Sequence, residues 1–415
     1  MKNKRSLRTG LLFTSLPLLL LPWANTWSLE LTGRFSMLGT TAQATQGDLG
    51  YLTKDNILTA DQQSLRLMLN ESRENDEWLL HAKMLRRHLS DFTYSTTHSS
   101  QLFRYKNLSS DWLNETESNN SSYIGSDIDR LSYKHRYKNT TLTLGRQPID
   151  WGGGRFWQPL NIFGAFSPID LDTDYKPGID AARLNWFPTD FSSLSTVYIF
   201  SPENNTAVDH KTSAAMHYQR QVGGMSQLAL VAGSVIGNPV FGASFESSWN
   251  GMGWRMEGVS YHLNRTDENS LFWIAGLDYQ FSNGTLLSAE LYNNSRGAKS
   301  VIAMRQTPSL TDTFIKYGLQ QHLSQNVLGL SFNKDISPLL NGGYTLLASP
   351  LKNDQGSIET SLLHQFNFRY SLSNESDLLF SLQFASGRGL NGATKTQSEF
   401  GHLPASMTLR LRFYF

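Results

Sequence analysis

The chain has 415 residues, with 36 Lys and Arg against 35 Asp and Glu, a formal net charge of +1, and no cysteine. That charge balance gives no electrostatic footprint for nucleic acid. The missing thiols exclude disulfides, thiolate metal sites, haem attachment and iron–sulfur clusters, so neither cofactor nor metal is expected.

At the N-terminus, Lys2, Lys4, Arg5 and Arg8 precede an apolar run over 11–21. Thr26 and Ser28 then supply small residues at −3 and −1 of a cleavage site, which predicts an export signal over 1–28 and a mature chain over 29–415. The run is too short, and too interrupted by proline, to match the roughly 20 apolar residues of a membrane anchor. Beyond it no continuous apolar stretch is long enough for a transmembrane helix. The pattern that takes over has a period of two.

Leu29, Leu31, Gly33, Phe35 and Met37 share one parity, with Glu30, Thr32 and Arg34 opposite, as on a strand that turns alternate side chains to opposite faces. The same alternation marks Leu65 to Leu69, Trp78 to Met84, Leu131 to Tyr137, Leu142 with Leu144, Ala182 to Trp186 and Leu194 to Phe200. It continues at Ala214 to Tyr218, Leu228 to Ala232, Phe241 to Phe245, Trp254 to Gly258, Trp273 to Tyr279 and Leu287 to Leu291. Ile315, Tyr317 and Leu319 read as a further strand, followed by Leu328 to Phe332, Leu362 to Phe368 and Leu378 to Phe384. Asn250-Gly251 and Asn283-Gly284 are hairpin signals, because these residues accept the positive φ of tight turns. The stretches 301–305 and 344–348 are ambiguous.

The last nine residues complete the series: Met407, Leu409, Leu411, Phe413 and Phe415 on one parity, Thr408, Arg410, Arg412 and Tyr414 on the other. This ending resembles the closing strand of bacterial outer-membrane β-barrels, and the resemblance implies that Phe413 and Phe415 are the signal read by the barrel-assembly machinery. The fold class expected is all-β, a transmembrane antiparallel β-barrel of about 18 strands, with 16 as the alternative. Tight turns follow even-numbered strands, and long polar connections follow odd-numbered ones. That asymmetry is the outer-membrane pattern of short periplasmic turns and long extracellular loops, and it puts both termini in the periplasm. Side chains cannot fill a barrel of this size, so an aqueous lumen is expected. The polar stretch over 107–122 reads as a hydrated surface loop, and Trp186, Trp249, Trp254, Trp273, Tyr279 and Phe281 read as interfacial girdle residues.

The third long connection departs from this pattern. Between Arg146 and Asp180 it carries Trp151, Phe156, Trp157, Leu160, Ile162, Phe163 and Phe166, which an exposed loop has no means to bury. The lumen is the available place. Gly152, Gly153 and Gly154 let the backbone turn sharply against the wall. Residues 146–178 are therefore expected to fold inward, narrow the pore and anchor through charge. The constriction candidates are Arg146, Asp150, Trp151, Arg155, Trp157, Asp170, Asp172 and Asp174. Paired Arg and Asp in a confined aqueous pore set up a transverse field across it, or else pair with the wall and hold the loop in place.

Gly145, Arg146, Gln147, Trp151, Gly152, Gly154, Pro159, Phe163, Pro168, Asp172, Lys176, Gly178 and Asp180 form a segment that resembles one in porin-like proteobacterial outer-membrane proteins. The match covers about a tenth of the chain. It implies a passive porin in the outer membrane of a Gram-negative cell, in contact with outer-membrane lipid and lipopolysaccharide. It names no substrate. On the polar parity lie Arg34, Arg66, Lys83, Lys134, Arg136, Arg183, Arg255, Arg369, Arg410 and Arg412, against Glu30, Glu246, Glu257, Asp278, Glu290 and Glu359. A lipid-facing Arg or Lys costs about 2–4 kcal/mol at mid-membrane, so these charges are assigned to the lumen. Their basic excess points to a weak preference for anionic solutes.

No enzyme is expected. The sequence has no nucleophile elbow, His-Glu-x-x-His motif or phosphate-binding loop. His135 and His364 fall on the lipid-facing parity but read as girdle residues. Asp170, Asp172 and Asp174 lack the Gly and closing Glu of a calcium loop. Three functions remain: a passive porin for small hydrophilic solutes, a facilitator specific for oligosaccharides or aromatic acids, and a non-conducting surface-binding barrel. Whether the chain is a monomer or a trimer is not legible.

Overall fold

The computed structural model describes residues 28–51, 56–89, 103–105, 122–164, 171–200, 213–264, 266–307, 313–316, 318–392 and 395–415. Residues 1–27 of the expected export signal, residues 107–121 of the polar stretch, and Phe166, Pro168, Asp170 and Tyr317 lie outside the described residues.

The strands are β1 (Ser28–Gln43), β2 (Ile57–Ser72), β3 (Asp76–Leu89), β4 (Ser122–Tyr137), β5 (Thr140–Gln147) and β6 (Ile179–Thr189). Next come β7 (Ser192–Ile199), β8 (Ser213–Val222), β9 (Ser226–Val235), β10 (Asn238–Trp249), β11 (Met252–Leu263) and β12 (Glu268–Gln280). The series ends with β13 (Leu286–Asn294), β14 (Asn326–Ser337), β15 (Leu340–Lys352), β16 (Ile358–Ser373), β17 (Ser376–Ser386) and β18 (Ala405–Tyr414). All belong to one 18-stranded sheet in which each strand pairs antiparallel with its neighbours in sequence, and β1 pairs with β18 to close it. Closure leaves no open sheet edge, which is what a barrel crossing hydrocarbon requires. No described helix is long and apolar enough to cross a membrane.

The expected strand total is met by two compensating errors. Ile315 lies in a short helix, α2 (Thr313–Lys316), and not in a strand. The strand that replaces it is β15, which contains the ambiguous 344–348 stretch and pairs with β14 across a turn at Pro338 and Leu339. The other ambiguous stretch forms helix α1 (Val301–Gln306), whose first turn is capped by Ser300 accepting from the Ala303 N–H. Its buried residues, Val301 and Met304, are three apart and pack against Ala298 and Leu351. Three-residue spacing makes a helical face, and period-two reading misses it.

The two faces of the wall are chemically inverted relative to a soluble protein. Leu29, Leu31, Met37, Leu67, Trp78, Leu80, Met84, Leu184, Phe241, Met256, Leu328, Phe384, Leu409 and Phe413 are exposed on the outside. Arg34, Ser36, Ser64, Arg66, Arg255, Glu257, Glu290, Arg410 and Arg412 are buried on the inside. Continuous apolar exposure of this kind is stable against lipid and not against water.

Closure at the β1–β18 seam depends on a glycine. Gly33 and Phe415 exchange backbone hydrogen bonds at 2.7 and 3.0 Å. The Phe415 ring lies where a side chain on Gly33 would project, with its Cζ only 2.2 Å from the position of a Cβ there. A β-bulge between β3 and β4 adds one residue, Asp129, and aims it into the barrel beside Arg66.

Candidate functional site

The third long loop, between β5 and β6, runs inside the barrel. Ile149, Phe156, Trp157, Leu160, Ile162 and Phe163 are buried against inward-facing Val197, Ile199, Val231, Val259, Tyr261, Phe272, Ile274 and Tyr292. Val197, Ile199, Val231, Phe272 and Ile274 come from stretches that are apolar on both faces, as strands buried on both sides are. Phe314 of α2 covers the same core, stacking on Phe272 and meeting Tyr261 edge-on at 5.0 Å.

Two wall carboxylates fix the loop backbone. Glu290 of β13 accepts from the backbone N–H groups of Arg155, Phe156 and Trp157 at 3.0, 3.2 and 2.9 Å. Glu257 of β11 accepts from Gly153 and Leu160 at 2.8 and 2.6 Å. A buried carboxylate facing converging N–H donors is satisfied without a full countercharge, and charge-assisted bonds of this type are the strong ones. Gly154 is required at this point, because a Cβ would lie 1.7 Å from the Trp157 carbonyl oxygen. The buried Trp157 indole N–H donates to His322 Nε2 at 2.7 Å, and His322 Nδ1 faces Glu399 at 2.8 Å. Acceptance at Nε2 assigns the Nδ1–H tautomer, with Nδ1–H donating to the carboxylate. This ties the third loop to the β13–β14 and β17–β18 connections.

The opposite wall is basic, and the far end of the loop lies on it. Arg34 of β1 donates to both oxygens of Asp172, at 2.6 and 2.8 Å, and to Asp174 at 2.7 Å. Arg412 of β18 meets Asp174 at 2.6 and 2.5 Å, and the Tyr414 hydroxyl donates to the same carboxylate at 2.7 Å. Tyr175 lies under the guanidiniums of Arg66 and Arg34, 4.4 and 5.0 Å from its ring centre. Burial pushes the Asp174 carboxyl up, but the Tyr414 hydroxyl with Arg412 and Arg34 outweighs this and holds it at about 2. Asp172 is lowered in the same way, burial being outweighed by Arg34. Burial pulls the Lys176 ammonium down to about 8, although Asp150 supports its charge from 3.1 Å.

The candidates from the sequence divide into distinct groups. Asp150, Trp151, Arg155, Asp172 and Asp174 keep partial or full exposure inside the barrel. Trp157 is fully buried, and Arg146 is held in the wall by Asp180 at 2.7 Å and by the Ile128 carbonyl. Those two lie behind the loop, where an apolar ring and a paired cation are best satisfied, and not on its free surface. Arg34, Arg66, Arg410 and Arg412 form the basic wall, and Arg255 sits across the barrel paired with Asp278 and Glu290. Arg183 stands on β6, while Arg136 is exposed beside Glu77 and Arg369 is exposed on β16. Phe413 and Phe415 face outward at the seam. His135 bonds Asp76 at 2.8 Å and His364 bonds Tyr344 at 2.8 Å, both among outward aromatic rings.

Comparison with solved structures finds close agreement in architecture and little in sequence. Acinetobacter baumannii OccAB4 aligns with a TM-score of 0.59 at 9% identity, over 93% of this chain and 98% of its own. A BenF-like porin from Pseudomonas fluorescens gives 0.57 at 9% identity, over 94% and 98%. Pseudomonas aeruginosa OpdK, solved with vanillate, gives 0.54 at 11% identity, over 94% and 98%. The likeness is one of fold. No protein-family model matches the sequence, and no curated protein matches it.

Sequence reasoning assigned Glu257 and Glu290 to the lumen without finding their partners, which are backbone groups and leave no trace in residue identity. Arg104, bonded to Asp127, Asp129 and the Gly178 carbonyl, was missed, as were Tyr175 and the His322–Glu399 pair. Tyr175 carried one available signal: it sits beside two spaced acids in a chain with an excess of inward arginines.

Proposed function

We propose that the chain is a porin-like channel of the Gram-negative outer membrane that passes small hydrophilic solutes and prefers anions. The observation that carries this is the division of the interior. One wall binds the inserted loop through Glu257 and Glu290, and the facing wall presents Arg34, Arg66, Arg410 and Arg412. Solutes pass between the exposed side of the loop and that basic wall. Arg66 and Arg410 are themselves buried in that wall, so it acts on a passing anion through its positive potential and not through exposed donors. Asp150, Trp151, Arg155, Asp172 and Asp174 form the constriction, and Asp170 is assigned to it from sequence. The apolar exterior and the Phe415 seam fit insertion by the barrel-assembly machinery into lipid and lipopolysaccharide. Barrels of this fold include a porin, which supports the reading.

Liposome swelling with graded sugars and carboxylates tests the proposal. Entry of small solutes, with carboxylates faster than sugars of equal size, is expected. Deletion of residues 152–163 should raise single-channel conductance. Unchanged conductance and selectivity would reject the constriction, and absence of any permeation would reject the channel.

A further inference from the structure

The two halves of the inserted loop are held by different kinds of contact. Residues 149–163 are fixed by a buried apolar core and by backbone hydrogen bonds to wall carboxylates. Residues 171–177 make no backbone–backbone hydrogen bond among the described residues. They rest on the basic wall through the Asp172 and Asp174 carboxylates and the Tyr175 ring, with the two acid side chains 26% and 27% exposed. Arg130 adds one bond to the Lys176 carbonyl at 3.2 Å, and the Lys176 ammonium reaches Asp150 at 3.1 Å and the Asn161 side-chain oxygen. What the wall holds is thus two carboxylates and a flat ring, presented by a segment that is otherwise tied to the loop's fixed half through Lys176.

Resting on the channel reading, we propose that Asp172, Asp174 and Tyr175 are a tethered occupant of a ligand site on the basic wall. The site takes a planar aromatic solute bearing two anionic groups, and such a solute displaces the segment when it binds. Arg34 and Arg412 receive the anionic groups, and Arg66 and Arg34 pack on the ring, as they now do with the chain's own side chains. A self-filled site lowers the apparent affinity for ligand in proportion to the fraction of molecules in which it is vacant. Solutes lacking either feature compete poorly, so the segment acts as a selectivity gate.

The test uses the full chain folded in detergent micelles, with terephthalate as probe and acetate as comparator. Thr173→Cys with Tyr414→Cys, in a chain that has no other cysteine, allows the segment to be pinned to β18 by a short bis-thiol cross-linker. All wall cations and all three occupying side chains are kept. Calorimetry should show terephthalate binding at least tenfold weaker in the cross-linked protein than in the same variant left open. Tyr175→Ala should bind it more tightly than wild type, and acetate should bind weakly throughout. Equal affinity with and without the cross-link overturns the proposal, and so does failure of every form to bind terephthalate. Because binding is read in micelles, failure of the channel reading appears separately, as absent permeation of liposomes by the same preparation.

Discussion

Replacing Glu290 by Gln tests whether wall carboxylates hold the loop inside the barrel. Glu290 Oε1 accepts from Phe156 and Trp157, and Oε2 accepts from Arg155 with Arg255 Nη1 at 3.4 Å. An amide keeps one oxygen and turns an NH2 group on the other side, toward the Arg155 N–H and the Arg255 guanidinium. One charge-assisted bond is lost and a buried donor is left facing donors. Hydrogen bonds to charged groups contribute about 1.5–3 kcal/mol and an unsatisfied buried donor costs a similar amount, so local opening should become easier by about 3 kcal/mol. That is roughly a hundredfold in an opening equilibrium. Hydrogen exchange on the detergent-folded barrel should show the amides of residues 155–157 exchanging about a hundredfold faster, with the β-strand amides unchanged. Asp278→Asn, which removes an Arg255 partner but no backbone acceptor, should change them less than tenfold. If exchange at residues 155–157 in Glu290→Gln stays within threefold of wild type, the clamp is not what holds the loop.

Asp174 is held below the ordinary carboxylate value, so its docking free energy is fully present above about 4 and is lost as pH falls through about 2. A spin label at Thr173→Cys should be immobilised at pH 5 and mobile at pH 2; immobilisation at both would contradict the pairing with Arg34 and Arg412. Lys176 is charged below about 8 and neutral above it, leaving Asp150 uncompensated at high pH. Reversal potentials should therefore move toward cations between pH 7 and 9, and Lys176→Met should abolish that movement. Gly33→Val forces a side chain into the Phe415 ring, an overpacking cost of about 1–3 kcal/mol. Its urea unfolding midpoint should fall, and Phe415→Ala in the same background should restore it; an unchanged midpoint refutes the seam.

Period-two alternation made the barrel legible because lipid and lumen impose opposite demands on adjacent residues. It found the strands but not their inner face where the demand was the same on both sides. Val197-Tyr198-Ile199-Phe200 and Leu271-Phe272-Trp273-Ile274 are apolar throughout, since one face meets lipid and the other meets the inserted loop. The insertion itself was legible from aromatic residues in a loop with no surface to hide them. Its attachments were not. Glu257 and Glu290 bind main-chain donors, which every residue carries. His322 and Glu399 are separated by 77 positions in sequence, and nothing local relates them. The helix at Val301–Gln306 shows the complementary failure, in which a short apolar stretch supports either period until its capping serine and three-residue spacing are weighed together.

The account turns on a water-filled interior whose arginine wall sets a preference for anions. Reversal potential of the refolded chain in a planar bilayer under a tenfold KCl gradient measures this directly. Discrete conductance steps with a reversal potential of the sign for chloride over potassium are the expected result. Clear cation selectivity, or a silent bilayer with folded protein present, would contradict it.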